Sequence, residues 1–136
     1  MAVVNELLRK EEGGAISFGN HKLDEKAKLE DFECNGDLYK VKTYKTMTKL
    51  ERNGMFVYES VPGTSVVQFS ESEEGITFLV EGDEDAQITV ELAEDTEYEV
   101  VVGERNMGKM KTNLGGKLNI SVELAAAGEV MVKILK

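Results

Sequence analysis

The sequence holds a single histidine, His21, with Ser17 and Asp24 close by, and these residue types could act as base, nucleophile and orienting carboxylate. Such chemistry needs the three groups within hydrogen-bond reach of one another. Closeness along a turn does not supply that, so His21 is expected in a surface loop. The single cysteine, Cys34, stands between Glu33 and Asp37, just before Asn35-Gly36. Carboxylates on both sides oppose thiolate formation, so a strand-end thiol is expected and not a nucleophile. Asp83, Glu84 and Asp85 follow Gly82 and could supply oxygens to a calcium ion, with Glu71 to Glu74 and Glu94 to Glu97 as further donors. The spacing has no alternating Asp/Asn ladder of the EF-hand type, and a solvated acidic rim is the stronger expectation. Carboxylate pairs for glycoside hydrolysis are available in the same set, but any acidic β protein offers them. One cysteine and one histidine exclude an intrachain disulfide and the roughly four ligands of a structural zinc site. No cofactor is expected.

Tyr39, Tyr44, Phe56 and Tyr58 lie in or beside a basic island of Lys40, Lys42, Lys45, Lys49 and Arg52. Aromatics among lysines would suit a nucleic-acid platform. A net charge of −10 argues against that partner. Glycan binding is the alternative, through tyrosines aligned on one sheet face, although the chain offers four Tyr and no Trp. Between Arg52 and Arg105 there is no Lys or Arg, and acids from Glu71 to Glu99 fill that interval. A basic first-half surface and an acidic second-half surface could pair between copies, so a homo-oligomer is expected. Exposed edge strands are a second route to assembly.

The elements that must position these groups read as strands. Apolar residues recur every second position at Ile88, Val90 and Leu92, at Tyr98, Val100 and Val102, and at Leu118, Ile120, Val122 and Leu124. Gly103 to Asn106 and Asn113 to Gly116 read as tight hairpin turns, which makes the stretch from Ala86 an antiparallel meander with Val130, Val132 and Ile134 as its closing strand. Earlier, Asn35-Gly36 and Asn53-Gly54 each predict a two-residue hairpin turn, and Glu11 to Gly14 a turn between two extended segments. Leu23 to Lys28 tolerates one short helical turn, with Asp24 as its N-cap.

The expected fold class is all-β: antiparallel hairpins and meanders forming a sandwich-like or barrel-like structure with at most one short helix. Pro62-Gly63 marks the best break, between an N-terminal hairpin half, residues 1–62, and a sandwich-like half, residues 63–136, which one compact domain could also unite. A chain of 136 residues buries a self-sufficient core. No apolar signal core stands in Met1 to Lys10 and no window approaches a membrane span, so a cytoplasmic protein without membrane contact is expected.

Three runs carry a resemblance: Met55 to Thr64, Glu81 to Val90, and Gly108 to Leu118. Through them nearly the whole chain resembles a small bacterial family that carries the label endosialidase. The resemblance implies a glycan-processing activity, and sialidases hold their substrate carboxylate with an arginine cluster. The chain's three arginines, Arg9, Arg52 and Arg105, are the residues that such a clamp would use. The chain departs from sialidases in having no Trp, hence no Asp-box. Tyr98 to Gly103 and Gly116 to Leu118 are similar to immunoglobulin-like sandwiches attached to polysaccharide-processing enzymes. The leading expectation is a non-catalytic structural or interaction module that self-associates, with a carbohydrate-binding or endosialidase-like protein as the alternative.

Overall fold

The computed structural model describes residues 3–136; Met1 and Ala2, part of the stretch read above for a signal core, lie outside it. Every strand pairing is antiparallel, and the strands form two sheets. In chain order they are β1 (Leu8–Lys10), β2 (Ile16–Phe18), β3 (Ala27–Cys34), β4 (Asp37–Thr43), β5 (Thr48–Arg52), β6 (Met55–Val61), β7 (Ser65–Ser72), β8 (Gly75–Glu81), β9 (Ala86–Glu91), β10 (Glu97–Val102), β11 (Arg105–Lys111), β12 (Lys117–Val122) and β13 (Glu129–Leu135). Sheet A runs β1-β2-β7-β8-β13-β10-β11 and sheet B runs β12-β9-β6-β5-β4-β3. The fold is thus all-β as expected, and of the two forms left open it is the sandwich-like one. No helix among the described residues is long and apolar enough to cross a membrane.

The Asn-Gly pairs act as read. Asn35 and Gly36 sit at φ 55° and 84°, Asn53 and Gly54 at 53° and 78°, the left-handed pairs that let a two-residue loop follow the twist of its strands. They close the β3-β4 and β5-β6 hairpins, so β3 to β6 is a true meander. Residues 11–15 close the β1-β2 hairpin, through the only helical turn among the described residues, Glu12–Gly14. The helical turn expected at Leu23 to Lys28 is not formed. The Leu23 carbonyl accepts from the Lys45 amide at 2.9 Å and Ala27 already begins β3, because tertiary bonding outweighs the weak preference of so short a segment.

The C-terminal stretch differs from the expected meander. β9 and β12 pair in sheet B, while β10, β11 and β13 lie in sheet A. Gly103-Glu104 is a hairpin turn, but Asn113 to Gly116 carries the chain from one sheet to the other. There the Asn113 side chain accepts from the amides of Gly115 at 2.8 Å and Lys117 at 2.9 Å. Nor does β13 close anything: it is central, between β8 and β10. Alternation marks which face of a strand is buried, and that face is the same whichever sheet the strand joins.

Residues on both sides of Pro62 contribute to both sheets, with β2 pairing β7 and β6 pairing β9. The inner faces enclose one apolar core, centred on Phe18, Tyr58, Phe69 and Phe78, whose rings meet edge-on or tilted at 5.2–6.3 Å. One end of this core is polar. Tyr58 and Ser60 hydroxyls each lie 2.7 Å from Thr64 Oγ1, the Thr64 carbonyl accepts from Thr48 Oγ1 at 2.7 Å, and Thr48 Oγ1 meets Thr43 Oγ1 at 2.8 Å. These bonds tie the 62–64 crossover to sheet B and give the buried hydroxyls the partners that burial requires.

Candidate functional site

The three arginines do not converge. Arg9 lies on the edge strand β1 and pairs with Glu6 at 3.5 Å and Glu11 at 3.0 Å. Arg52, at the end of β5, is bridged by Glu71, and Arg105, at the start of β11, pairs with Glu123 at 3.0 Å. Arg52 and Arg105 line separate clefts of about 300 and 280 Å³. The first cleft also holds Phe56, Glu91, Tyr98 and Lys136. Burial works against the Arg52 charge, but hydrogen bonds to Glu71 and Tyr39 outweigh it and hold the guanidinium more firmly protonated than usual. An arginine already engaged in this way is not an open carboxylate clamp.

The acidic triplet diverges. Asp83 turns to Lys22 at 2.7 Å, whose hydrogen bond holds its carboxyl below the usual range, while Asp85 accepts from the Ala125 amide at 3.0 Å. Asp83, Glu84 and Asp85 are all exposed, and among the described residues no group of three or more His, Cys, Asp or Glu side chains is arranged to hold a metal ion. Cys34 is a buried thiol at the end of β3. Tyr39, Tyr58 and Tyr98 are buried, and Tyr44 alone is half-buried, with Lys26 over its ring, so the tyrosines form no exposed row.

The charges also fall differently from two poles. Glu73-Glu74 and Asp83 to Asp85 leave opposite ends of β8, while Glu91, Asp95 and Glu97 pair with Lys117, Lys111 and Lys109. On sheet B, Lys28, Lys42 and Lys49 stand in one cross-strand row, yet Glu59 is the next member of that row and Glu51 faces Lys40. Cross-strand acids therefore interleave with the basic island.

His21 is not a surface residue. It is 3% exposed, with Nδ1 2.7 Å from Ser65 Oγ and Nε2 3.7 Å from Asp83 Oδ1, so the fold assembles a serine, a histidine and an aspartate, but not Ser17 and Asp24. Ser17 instead bonds Glu11, and Asp24 pairs with Lys45. Ser65 is fully buried and its Oγ also receives the His21 amide at 3.2 Å, which leaves no room for substrate. The adjoining depression is small, about 40 Å³ against about 300 Å³ for the cleft at Arg52. Ser65 Oγ and Nδ1 share a hydrogen bond whose direction follows the ring tautomer, and Nε2 is turned toward Asp83. The cluster is a structural tie between the β2-β3 link and β7. No sequence signal marks it, since its partners are 44 and 62 positions away.

Desolvation lowers the His21 pKa, partly offset by Asp83 and Glu81, while Lys22 adds to the lowering. A base whose folded pKa is depressed contributes stability that is complete above the unfolded value near 6.5 and is lost as pH falls through the folded one. Urea midpoints should therefore fall between about pH 7.5 and 5.5, and a His21→Gln variant should fall less over the same span. Equal slopes in the two proteins would show that His21 plays no part.

Among the described residues the fold leaves one strand edge open. Of the four edge strands, β1 is three residues long; β11 carries Arg105, Lys109 and Lys111 and a ladder shift at Met107; and β3 carries Lys28, Glu30, Asp31 and Glu33 and a shift beside Asp31, at φ 56°. Each has a device that blunts pairing. β12 has none: its six residues pair with β9 in unbroken register from Lys117↔Glu91 to Val122↔Ala86, and Lys117 is its only charge. Leu118, Ile120 and Val122 fill the core, while Asn119 and Ser121 are exposed.

The free groups on that edge can be identified. The Gly116 carbonyl accepts from Leu92, the residue after β9, so by antiparallel alternation the backbone of 118, 120 and 122 bonds to β9 and that of 117, 119 and 121 points away. Asn113 occupies both outward groups of Lys117, accepting from its amide at 2.9 Å and donating to its carbonyl at 3.1 Å. The amides and carbonyls of Asn119 and Ser121 turn the same way and take no backbone partner outside the ladder among the described residues. Their side chains bond back to Thr89 and Gln87 of β9.

No protein-family model, curated protein or solved structure matched the chain.

Proposed function

We propose that this chain is a non-catalytic interaction module that self-associates through the β12 edge of sheet B. The observation that carries this reading is the one undefended edge among the four of the described residues: a strand paired without a bulge, with two outward amides, two outward carbonyls and a fully packed inner face. Main-chain hydrogen bonds across such an edge supply affinity, and strand addition is a general mode of recognition. The contact is largely uncharged, so a change from about 50 to 500 mM salt weakens it only at its rim.

Light scattering after size exclusion is expected to give a mass of twice the 15.0 kDa chain. Ser121→Pro removes an outward amide and leaves the β9 ladder intact, since that amide does not face β9. The variant is expected to be a folded monomer with an unchanged circular dichroism spectrum. A wild-type monomer at high protein concentration, or a Ser121→Pro variant that still dimerises, would overturn the reading.

A further inference from the structure

We infer that the partner on β12 is a second copy of the same strand, related by a two-fold axis through Ile120, so that Asn119 faces Ser121 of the other copy and Lys117 faces its Glu123. This inference rests on the proposed edge and adds its occupant and register.

The register follows from which groups are free. Two strands related by a two-fold axis pair residues whose numbers have a constant sum, and an even sum keeps core-facing residues on the core side. Centring on Asn119 opposes the two Asn119 residues and sets Ser121 against Lys117, whose outward amide and carbonyl Asn113 already holds. Centring on Ser121 sets Asn119 against Glu123, beyond the end of β12. Centring on Ile120 sets Asn119 against Ser121 on both sides of the axis, and all four outward groups of each copy find a partner. This pairing alone meets every outward group of Asn119 and Ser121, while Glu123, past the end of β12, meets Lys117 by its side chain only, because Asn113 holds the Lys117 backbone.

Charge selects the same register. Lys117 and Glu123 stand three residues on either side of Ile120, in step with the exposed Asn119 and Ser121, and Glu123 is itself exposed one residue past the end of β12. The two-fold brings each lysine against the other copy's glutamate. Within its own chain Lys117 already lies 3.2 Å from Glu91 and 4.7 Å from the Phe56 ring centre, and Glu123 lies 3.0 Å from Arg105. The paired copies therefore carry an alternating row, Glu91, Lys117, Glu123 and Arg105, across the junction. A partner of unrelated sequence would match the main chain but not this charge order. The result is one continuous sheet of two six-stranded halves, with the lysine rows of β3 to β5 at its far ends.

Reciprocal charge reversal tests the register. Lys117→Glu alone and Glu123→Lys alone each place like charges together twice per dimer, and each should raise the dimer dissociation constant roughly tenfold or more by sedimentation equilibrium. The double variant restores both contacts and should return to within about threefold of wild type. Both side chains lie at the surface, so the chains stay folded. A wild-type dimer with indifferent single variants, or a double variant weaker than either single, would overturn the register while leaving self-association standing. A monomeric wild type would overturn both.

Discussion

Replacing Tyr58 with alanine is expected to remove about 4 kcal/mol of stability, a large part of what a domain of this size possesses. The ring is fully buried and meets Phe18 at 5.2 Å, Phe78 at 5.7 Å and Phe69 at 6.3 Å, so its loss removes the one ring that sheet B sets against three from sheet A and opens a cavity between the sheets. The hydroxyl adds a smaller amount. Burial pushes the phenol well above its ordinary pKa, outweighing the Thr64 and Ser60 hydroxyls, so it stays a neutral partner of Thr64 Oγ1 at 2.7 Å. Tyr58→Phe keeps the ring contacts and leaves Thr64 Oγ1 bonded to Ser60, and should cost only about 1–2 kcal/mol. Urea denaturation of the two variants separates the contributions. If Tyr58→Phe cost as much as Tyr58→Ala, the hydroxyl network and not the aromatic cluster would hold the sheets together.

Gly75→Ala is expected to cost about 3 kcal/mol or to prevent folding. Gly75 opens β8 at φ 142°, where side chains are strained, and a Cβ there would stand 1.9 Å from the Ile134 carbonyl oxygen. That oxygen belongs to the backbone of β13, which is bonded on its other side to β10, so it cannot turn away without disturbing sheet A. Gly54→Ala is the control. It also has a positive φ, 78°, but nothing lies within 4 Å of the new methyl, and about 1–2 kcal/mol is expected. Comparable losses at the two positions, measured by thermal or urea unfolding, would show that β13 yields and that sheet A is softer than its central position implies.

What could be read in the chain beforehand was local. Asn35-Gly36 and Asn53-Gly54 were legible because a two-residue hairpin needs positive φ and few residues accept it. The burial of Ile88, Val100, Ile120 and Ile134 was legible because one face of a strand must be dry. The sheet each strand joins was not, since the same alternation serves either side of the core; hence the expected meander from Ala86 onward became strands divided between two sheets. His21 was misplaced for a related reason: its burial comes from Ser65, on a strand brought close only by the crossover at Pro62. Arg9, Arg52 and Arg105 were chosen by residue type, and nothing in their spacing told that separate carboxylates hold each of them. The β12 strand was legible, but its edge position was not, because that depends on where β13 goes.

The place of β13 also governs the order in which the molecule can be made. In sheet A the β7-β8 and β10-β11 hairpins touch neither each other nor any common strand except β13, which is later in the chain than both. During synthesis the two hairpins therefore wait, each with an unsatisfied inner edge, until residues 129–135 emerge and slot between them. Pairings of such long sequence separation are slow to close, on the scale of milliseconds to seconds. Until β13 arrives β8 and β10 each keep one open edge, and it is there that a folding chaperone would have most to protect.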